Sequence, residues 1–439
     1  METQASGGIP VVETSVSGRV LKNFGVVLRG RGIAAVFTLV ATALMANALP
    51  ATEFGLVILL HTYVLAVRGI LNFRTYEAIV RFGVPLHEDG DEAGLKRLFR
   101  TTSLIDFASA FAATLAGVFA ASLAGDFLHW DSQMISLTSF YSLVMVTTIN
   151  NTPNGILRLY DRFDALSVFY IVGPAIRFIG IIIAWVMDAG MYVFIAIWAA
   201  AFVAENCWLF IRGHLELKKH LVGPVWIGGS WREIRETSKE FRHFISVVYW
   251  QTNIDLLPKH LSVLLAGGLL GPAAAGMFRL ARDFSTILSK PAMMLREVLF
   301  PDLARILHGE AEGFRELGYR AVKVAGAAGL LLVLLSIPLA GPILGIIGSE
   351  YTDASTLLTL MLLAATFELA SSPLRAASYA MGKVAPVLRI HFLSVLIYLG
   401  LFYVLTPLMG LSGPGVAAVI GALLTLLLML RLVKNFPGA

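Results

Sequence analysis

The sequence predicts an all-α integral membrane protein with about twelve transmembrane helices, arranged as two pseudo-twofold-related six-helix bundles around a central cavity. Three observations support this fold: an apolar composition, a series of helix-length apolar windows, and a repeat that relates the two halves of the chain. Of the 439 residues, 57% are hydrophobic and only 14% are charged, and the mean hydropathy is +0.76. A soluble domain needs a more polar surface, so we expect lipid to cover most of this one.

The apolar windows are each long enough for a helix to cross roughly 30 Å of hydrocarbon. In chain order, and numbered here as spans 1 to 12, they lie near residues 25–48, 54–73, 100–123, 134–157, 166–187, 191–212, 244–270, 277–299, 321–346, 355–379, 387–408 and 412–432. An even number of spans places both ends of the chain on the same side of the membrane.

The connections between spans carry different charges on the two sides. Alternate connections, such as residues 125–133 and 271–276, contain no Lys or Arg, whereas the other set contains many. By the positive-inside rule, the basic connections and both termini are cytoplasmic in a bacterial inner membrane. The polar stretch from Met1 to Val20 does not have the pattern of a cleaved signal peptide, so we expect span 1 to act as the insertion signal.

The connections on the outer side are short and leave no room for a folded catalytic domain. We therefore expect a protein that is not an enzyme and whose function is carried by its helices, with no metal and no cofactor. Its basic residues are scattered and do not form a run, which argues against nucleic acid as a partner. The single cysteine, Cys207, lies in an apolar stretch, and we interpret it as a packing residue.

The chain divides into four segments. These are a cytoplasmic N-terminal segment (1–22), an N-terminal six-helix bundle (23–214), a cytoplasmic linker (215–243) and a C-terminal six-helix bundle (244–439). The linker contains Ser230-Trp231-Arg232-Glu233, a helix-capping box, followed by a basic amphipathic stretch. We interpret it as an interfacial helix that joins the two bundles, with binding of a partner as the alternative.

An internal repeat relates the two bundles. Leu49 to Leu56 (LPATEFGL) precedes most of span 2, and Leu270 to Met277 (LGPAAAGM) precedes most of span 8, with Gly55 matching Gly276 at 276 − 55 = 221. Arg68 pairs with Lys290 and Pro153 with Pro373 at nearly the same offset. Since each repeat holds six spans, the two bundles should be related by an axis along the membrane normal, with a cleft between them.

Ionisable residues inside spans are costly and are therefore candidates for function. Arg29 and Arg31 lie about 27–30 Å from Leu49 along span 1, at the cytoplasmic boundary. We interpret Arg29 as an anchor at the membrane surface, whereas Arg31 could either anchor the helix there or bind a ligand. Arg177, near the middle of span 5, is the strongest candidate for an intramembrane cation, and a structural ion pair with Glu205 or Asp106 is the alternative.

The second bundle and spans 2 and 8 supply the remaining candidates. Asp255 and Lys259 share one face of span 7, and they could form either a structural ion pair or part of a functional site. The other cations are Arg68, Arg279, Arg282 and Lys290; the acids at comparable depth are Asp106, Glu205, Asp255, Asp283 and Glu368. The interior balance is cationic, which suits an anionic cargo. Glu368, Asp255 and Glu205 are candidates for ion coupling, and a structural hydrogen bond is the alternative for Glu368.

Several sequence patterns resemble the multidrug/oligosaccharidyl-lipid/polysaccharide exporter superfamily, on its polysaccharide-transport branch of O-antigen and exopolysaccharide flippases. The patterns are Leu44 to Leu56 (LMANALPATEFGL), Tyr76 to Gly83 (YEAIVRFG), Gly155 to Phe163 (GILRLYDRF), Leu269 to Arg282 (LLGPAAAGMFRLAR) and Phe300 to Arg305 (FPDLAR). They occur in the family's order, and the resemblance extends over nearly the whole chain.

The resemblance implies a cavity lined by spans 1, 2, 7 and 8 that works by alternating access. It implies a cargo of polyprenyl-pyrophosphate-linked oligosaccharide, moved from the cytoplasmic to the periplasmic leaflet, with polysaccharide polymerase and export machinery as further partners. The cations on cavity-lining spans that would receive the pyrophosphate are Arg31, Arg68, Lys259, Arg279, Arg282 and Lys290. Arg177 lies on span 5, outside that set.

Other functions are compatible with parts of the pattern. A cation-coupled multidrug or small-molecule antiporter of the same fold would need acidic sites in the cavity, but span 1 contains arginines and no acid. An oligosaccharide ligase or polymerase would need a larger outer loop than the one holding His129, Asp126 and Asp131. A non-transporting scaffold is the fourth possibility.

Overall fold

A computed structural model of the chain describes residues 16–221, 238–286, 311–380 and 383–434. The elements of the N-terminal half are α1 (Val16–Ala48), α2 (Ala51–Ile70), α3 (Thr75–Glu88), α4 (Glu92–Phe119), α5 (Ala121–Leu128), α6 (Ser132–Ser142), the 3-10 helix η1 (Leu143–Thr147), α7 (Asn151–Leu159), α8 (Phe163–Val186) and α9 (Met191–His220). Those of the C-terminal half are α10 (Lys239–Leu270), α11 (272–286), α12 (Ala311–Ile347), the 3-10 helix η2 (Ser349–Ala354), α13 (Ser355–Ala380), α14 (Val384–Met409) and α15 (Ser412–Lys434).

The predicted all-α membrane fold is confirmed. Within the described ranges, nine helices are long and apolar enough to cross a membrane. Span 7 forms the continuous helix α10, whose charged residues lower its mean hydropathy, and only the first part of span 8, α11, is described. Lys290, which follows α11, lies outside the described residues.

Span 4 is not the single helix that the apolar window predicted. It is divided into α6, η1 and α7, with a non-helical connection over residues 148–150. The polar run Thr147-Thr148-Ile149-Asn150-Asn151 lies at this break, and Thr and Asn side chains compete with the helix for backbone hydrogen bonds. The corresponding span 10 in the other half, α13, is continuous through Pro373.

The broken backbone of span 4 is satisfied by two buried ionisable side chains. Arg68 on α2 donates to the Thr148 hydroxyl at 2.6 Å, to its carbonyl at 3.0 Å and to the Leu71 carbonyl at 2.9 Å. Asp106 on α4 accepts from the Thr152 N–H at 2.6 Å and from the Thr75 hydroxyl at 2.8 Å. Because lipid offers no hydrogen bonds, these contacts satisfy the break in span 4 and join it to the end of α2 and to α4.

Helix packing follows the predicted duplication. Span 1 packs on span 5 as span 7 packs on span 11, and span 5 packs on span 6 as span 11 packs on span 12. The same correspondence relates spans 4 and 6 to spans 10 and 12. One glycine and two aromatic rings show how closely the first of these pairs fits: Gly30 abuts the Ser167 backbone, and the Phe37 and Phe178 rings stack at 5.1 Å.

The two halves meet at the end that holds the α1–α2 and α10–α11 connections, named here the outer end after its predicted orientation, through residues that the repeat makes equivalent. A Cβ on Gly55 would lie 1.8 Å from the Pro272 carbonyl oxygen, and a Cβ on Gly276 would lie 3.3 Å from the Gly55 Cα. Residues on a twofold axis meet their own counterparts, so the axis passes close to these glycines. The absence of side chains allows the backbones of α2 and α11 to touch.

A second contact closes the outer end beside the glycines. Tyr351 of η2 is buried in the N-terminal half, where its hydroxyl donates to the Ala46 carbonyl at 3.0 Å and its ring meets Phe54 edge-on. The Glu350 carboxylate accepts from the Ala51 N–H at 3.1 Å and so caps α2 from the other half. Asn47 donates to the Ile347 carbonyl at 2.7 Å.

The predicted boundaries of the bundles fall inside helices. Helix α9 continues past residue 214 to His220, and α10 begins at Lys239, before residue 244. The first turns of α10 pack on the N-terminal half, where Phe241 lies 5.6 Å from Phe82 between ring centroids. Residues 222–237, which include the capping box of the linker, lie outside the described residues.

The glycine contact predicts a steric requirement at Gly55. Replacing Gly55 with Ala should overlap the Pro272 backbone and lower the free energy of unfolding by at least about 1–3 kcal/mol, measured by thermal unfolding in detergent. Gly400, on α14, is the matched control because a Cβ there has no neighbour within 4 Å, and Gly400→Ala should change stability by less than about 1 kcal/mol. Equal stability of the two variants would contradict this contact.

Candidate functional site

A cavity of about 260 Å³ lies between the two halves. The N-terminal half contributes α1 and α8 to its wall, and the C-terminal half contributes α11. Its lining residues are Arg31, Ala34, Ala35, Thr38, Leu39, Tyr170, Arg279, Asp283 and Thr286. Charged and hydroxyl groups therefore face one another across the cleft that the repeat predicted.

The cavity extends from the middle of the helices towards the end opposite the glycine contact. Arg31 is about 25 Å along α1 from Ala48, and Arg279 is about 10 Å along α11 from its first residue, Pro272. The glycine contact and the buried Tyr351 close the outer end.

Arg31 is an exposed cation held by an aromatic ring. Its guanidinium carbon lies 4.8 Å from the centroid of the Tyr170 ring, and one of its terminal nitrogens donates to the Tyr170 hydroxyl at 3.2 Å. In the described part of the chain no carboxylate pairs with Arg31. A cation–π contact orients the guanidinium but leaves its charge uncompensated.

Arg279 faces the same cavity and is paired with an acid on its own helix. Its Nε donates to Asp283 Oδ2 at 2.7 Å, one turn further along α11. The two side chains are 17% and 18% exposed, so they are largely shielded from bulk solvent but accessible from the cavity. Together, Arg31, Arg279 and Asp283 give this cavity a net charge of +1, counted over its described lining.

Arg282 points into the C-terminal half. Its guanidinium donates to the Lys259 carbonyl of α10 and lies 5.9 Å from the centroid of the Phe278 ring. The Lys259 side chain is exposed, and neither residue lines the cavity. The predicted Asp255–Lys259 pair lies outside the described residues, because the Asp255 side chain is not described.

Arg177 lies inside the N-terminal bundle, where it forms one of the two ion pairs that its sequence position allowed. Its guanidinium is 3.6 Å from Glu205 of α9 and lies over the Trp198 ring at 5.4 Å. Glu205 packs directly on Gly173, where a Cβ would lie 1.7 Å from its carboxylate oxygen. Asp106 is engaged with the span 4 backbone instead.

Arg68 and Glu368 also lie away from the cavity lining. Arg68 is 6% exposed, and its donors are directed at Thr148 and Leu71. Glu368 is exposed on α13, which α12 separates from α11 in the sequence. Of the seven cations that the sequence singled out, the structure brings Arg31 and Arg279 together in one cavity, and cargo binding by all seven stays a prediction.

Sequence reasoning missed three lining residues that bear on the chemistry. Tyr170 and Thr38 carry no charge and lie in apolar windows, so hydropathy gave no signal for them. Asp283 was counted among the interior acids, but its pairing with Arg279 was not recognised. The i, i+4 spacing of the two residues is the signal that could have found it.

The Arg177–Glu205 pair predicts a structural effect that can be separated from transport. Replacing Arg177 with Met leaves Glu205 without its partner and should lower the free energy of unfolding by about 1–3 kcal/mol, while Arg177→Met with Glu205→Leu should recover most of this loss. Thermal unfolding in detergent measures both. A stable Arg177→Met protein that has lost transport would instead place Arg177 on the cargo path.

Comparison with known proteins supports the fold and the family. The profile of a family described as "Polysaccharide biosynthesis protein" matches residues 44–356. The inner membrane protein YghQ of Escherichia coli (strain K12) is 23% identical over 331 residues, which cover 74% of this chain and 92% of YghQ.

Solved structures show the same helical architecture. A multidrug resistance MATE family transporter of the MOP superfamily, in its inward-facing conformation, superposes with a TM-score of 0.72 at 14% identity over 91% of this chain and 94% of its own. The lipid II flippase MurJ, in an inward closed conformation, gives 0.69 at 14% identity over 93% and 88%.

These neighbours are transporters or flippases, and the chain shares their multi-pass fold. The family profile covers more than half of the sequence, including the cavity residues of α8 and α11 but not those of α1. The chain therefore belongs to the polysaccharide biosynthesis protein family, and it has the fold of the MATE transporter of the MOP superfamily and of MurJ.

Proposed function

We propose that the protein is a flippase for polyprenyl-pyrophosphate-linked oligosaccharide, an O-antigen or exopolysaccharide repeat unit. The observation that carries the proposal is the net positive cavity between the halves, in which Arg31 has no carboxylate partner among the described residues. A cation in a low-dielectric cleft attracts an anionic group strongly. Guanidinium groups also bind phosphate oxygens with two parallel hydrogen bonds.

The cavity suits the head of such a cargo and excludes its tail. Arg31 and Arg279 supply donors for a diphosphate, whereas Thr38, Tyr170 and Thr286 supply hydroxyl groups beside them for sugar. A volume of about 260 Å³ holds only part of a lipid-linked oligosaccharide. The polyprenyl chain would stay in the bilayer while the polar head enters the cavity.

The closed outer end sets the direction of entry. Cargo would enter from the cytoplasmic side, where the basic connections are predicted to lie, and the halves would then rock to open towards the periplasm. This direction assumes the predicted inner-membrane orientation with both termini in the cytoplasm. A polysaccharide polymerase and export machinery would receive the flipped repeat unit.

A cation-coupled drug antiporter of the same fold is the alternative that the charges make less favourable. Such a protein needs a carboxylate that can accept a proton or an organic cation in its cavity. Among the described lining residues the acid is Asp283, and Arg279 already occupies it at 2.7 Å. Glu205 and Glu368, the other candidates for ion coupling, lie outside the lining.

The proposal predicts that neutralising the cavity cations slows flipping. Arg31→Gln and Arg279→Gln, purified and reconstituted in vesicles with a polyprenyl-pyrophosphate-linked sugar, should each reduce the flipping rate at least about tenfold, since the loss of a charged hydrogen bond to phosphate costs about 1.5–3 kcal/mol. The rate is measured by the accessibility of the sugar to an added lectin or glycosidase.

Arg29 provides the matched control for these variants. It lies two residues from Arg31 on α1 and is exposed, but it does not line the cavity, so Arg29→Gln removes the same charge from the same helix and should flip at the wild-type rate. Equal losses in Arg29→Gln and Arg31→Gln would mean that general surface charge matters and would contradict a cavity site. Flipping of a neutral lipid at the same rate would contradict an anionic cargo.

A further inference from the structure

The pairing of Asp283 with Arg279 gives the cavity a group that the cargo must compete with. We infer that Asp283 is a resident counter-anion: without cargo its carboxylate holds the Arg279 guanidinium, and the diphosphate of the cargo displaces it. The inference rests on the proposed function and adds a residue that sets how tightly cargo is held. It concerns Asp283 alone and does not depend on which sugar is carried.

The geometry allows the exchange. Arg279 Nε and Asp283 Oδ2 are 2.7 Å apart, and the structure shows one hydrogen bond between the two side chains. Both side chains line the cavity, so an incoming anion meets the pair directly. The carboxylate holds the guanidinium by this one hydrogen bond, whereas a diphosphate offers several oxygens to the same guanidinium.

Charge balance favours displacement over simple addition. A diphosphate that links a lipid to a sugar carries two negative charges at neutral pH, and Arg31 and Arg279 together carry two positive charges. If Asp283 stayed paired with Arg279, the cleft would hold three negative charges, one from Asp283 and two from the diphosphate, against two positive charges. Like charges in a poorly solvated site repel strongly, so Asp283 has to turn away as the diphosphate binds.

The surroundings of Asp283 leave space for its carboxylate to rotate away from Arg279. Arg282, the next cation on α11, is already engaged with the Lys259 carbonyl, and the Thr286 hydroxyl donates to the backbone carbonyl of Asp283 and not to its carboxylate. The displaced carboxylate can therefore rotate into the cavity and towards solvent. When cargo leaves, the carboxylate returns to Arg279 and prevents immediate rebinding.

A binding measurement tests this role. The probe is farnesyl diphosphate added to the full-length protein in nanodiscs, with farnesyl monophosphate for comparison. Removing the competing charge in Asp283→Asn should lower the Kd for farnesyl diphosphate about tenfold, which corresponds to about 1.4 kcal/mol, and should lower the Kd for the monophosphate less. Asp283→Glu, which keeps the charge, should bind as the wild type does.

Two further variants show that the effect acts through Arg279. In the Arg279→Gln background, adding Asp283→Asn should lower the Kd much less than it does in the wild type, because Asp283 then has no cation to release and acts only through its remaining repulsion of the diphosphate. Asp164→Asn removes an aspartate that pairs with an arginine, Arg162, at 2.9 Å outside the cavity, and it should bind the probe as the wild type does. Thermal unfolding establishes that every variant is folded.

The outcomes separate this inference from the proposed function. If the wild type binds farnesyl diphosphate and Asp283→Asn binds it equally or more weakly, Asp283 supports the cargo or positions Arg279, and the counter-anion role is wrong. If the wild type does not bind the diphosphate, the cationic-site function itself fails. Tighter binding by Asp283→Asn that persists in full without Arg279 would also overturn the exchange at Arg279.

Discussion

The contact on which the rest of the structure depends is the approach of two backbones at the outer end, where Gly55 lies against Pro272 and Gly276. Because no side chain separates α2 from α11 there, the halves touch near their axis. Further along the helices the cavity separates α11 from α1 and α8, while the first turns of α10 pack on the N-terminal half. A larger residue at Gly55 would push the halves apart where Tyr351 and Glu350 join them.

The charged residues inside the spans have three different roles: some hydrogen-bond to broken backbone, some form ion pairs within a bundle, and some line the cleft. Arg68 and Asp106 hydrogen-bond to the interrupted backbone of span 4, since lipid offers that backbone no hydrogen bonds. Arg177 is compensated by Glu205 inside one bundle. Among the described residues, the charged groups that line the cleft are Arg31 and the Arg279–Asp283 pair. The cationic balance of the whole interior is therefore less informative than the charges on this one surface.

The sequence predicted the large-scale fold well because hydropathy and the repeat are properties of whole segments. The offset of 221 even paired Gly55 with Gly276, which the structure places in contact. The sequence could not predict the role of Arg68. Its partner Thr148 is 80 residues away, at a break in span 4 that hydropathy does not reveal. The lining of the cavity was predicted only in part. Arg31 and Arg279 were identified because charge inside a span is conspicuous, whereas Tyr170 is uncharged and was not identified.

The two cavity cations lie on different halves and at positions that the repeat does not relate. Arg31 of span 1 corresponds to Thr252 and Arg279 to Ile58 at the offset of 221, so each half supplies one cation from a different span. A diphosphate bound by both would draw α1 and α11 together across the cavity. Under the proposed function, the glycine contact at the outer end would act as the pivot of this movement. Cargo binding would then narrow the cavity and strain the outer contacts of Tyr351 and Glu350, as the first half of the proposed rocking motion.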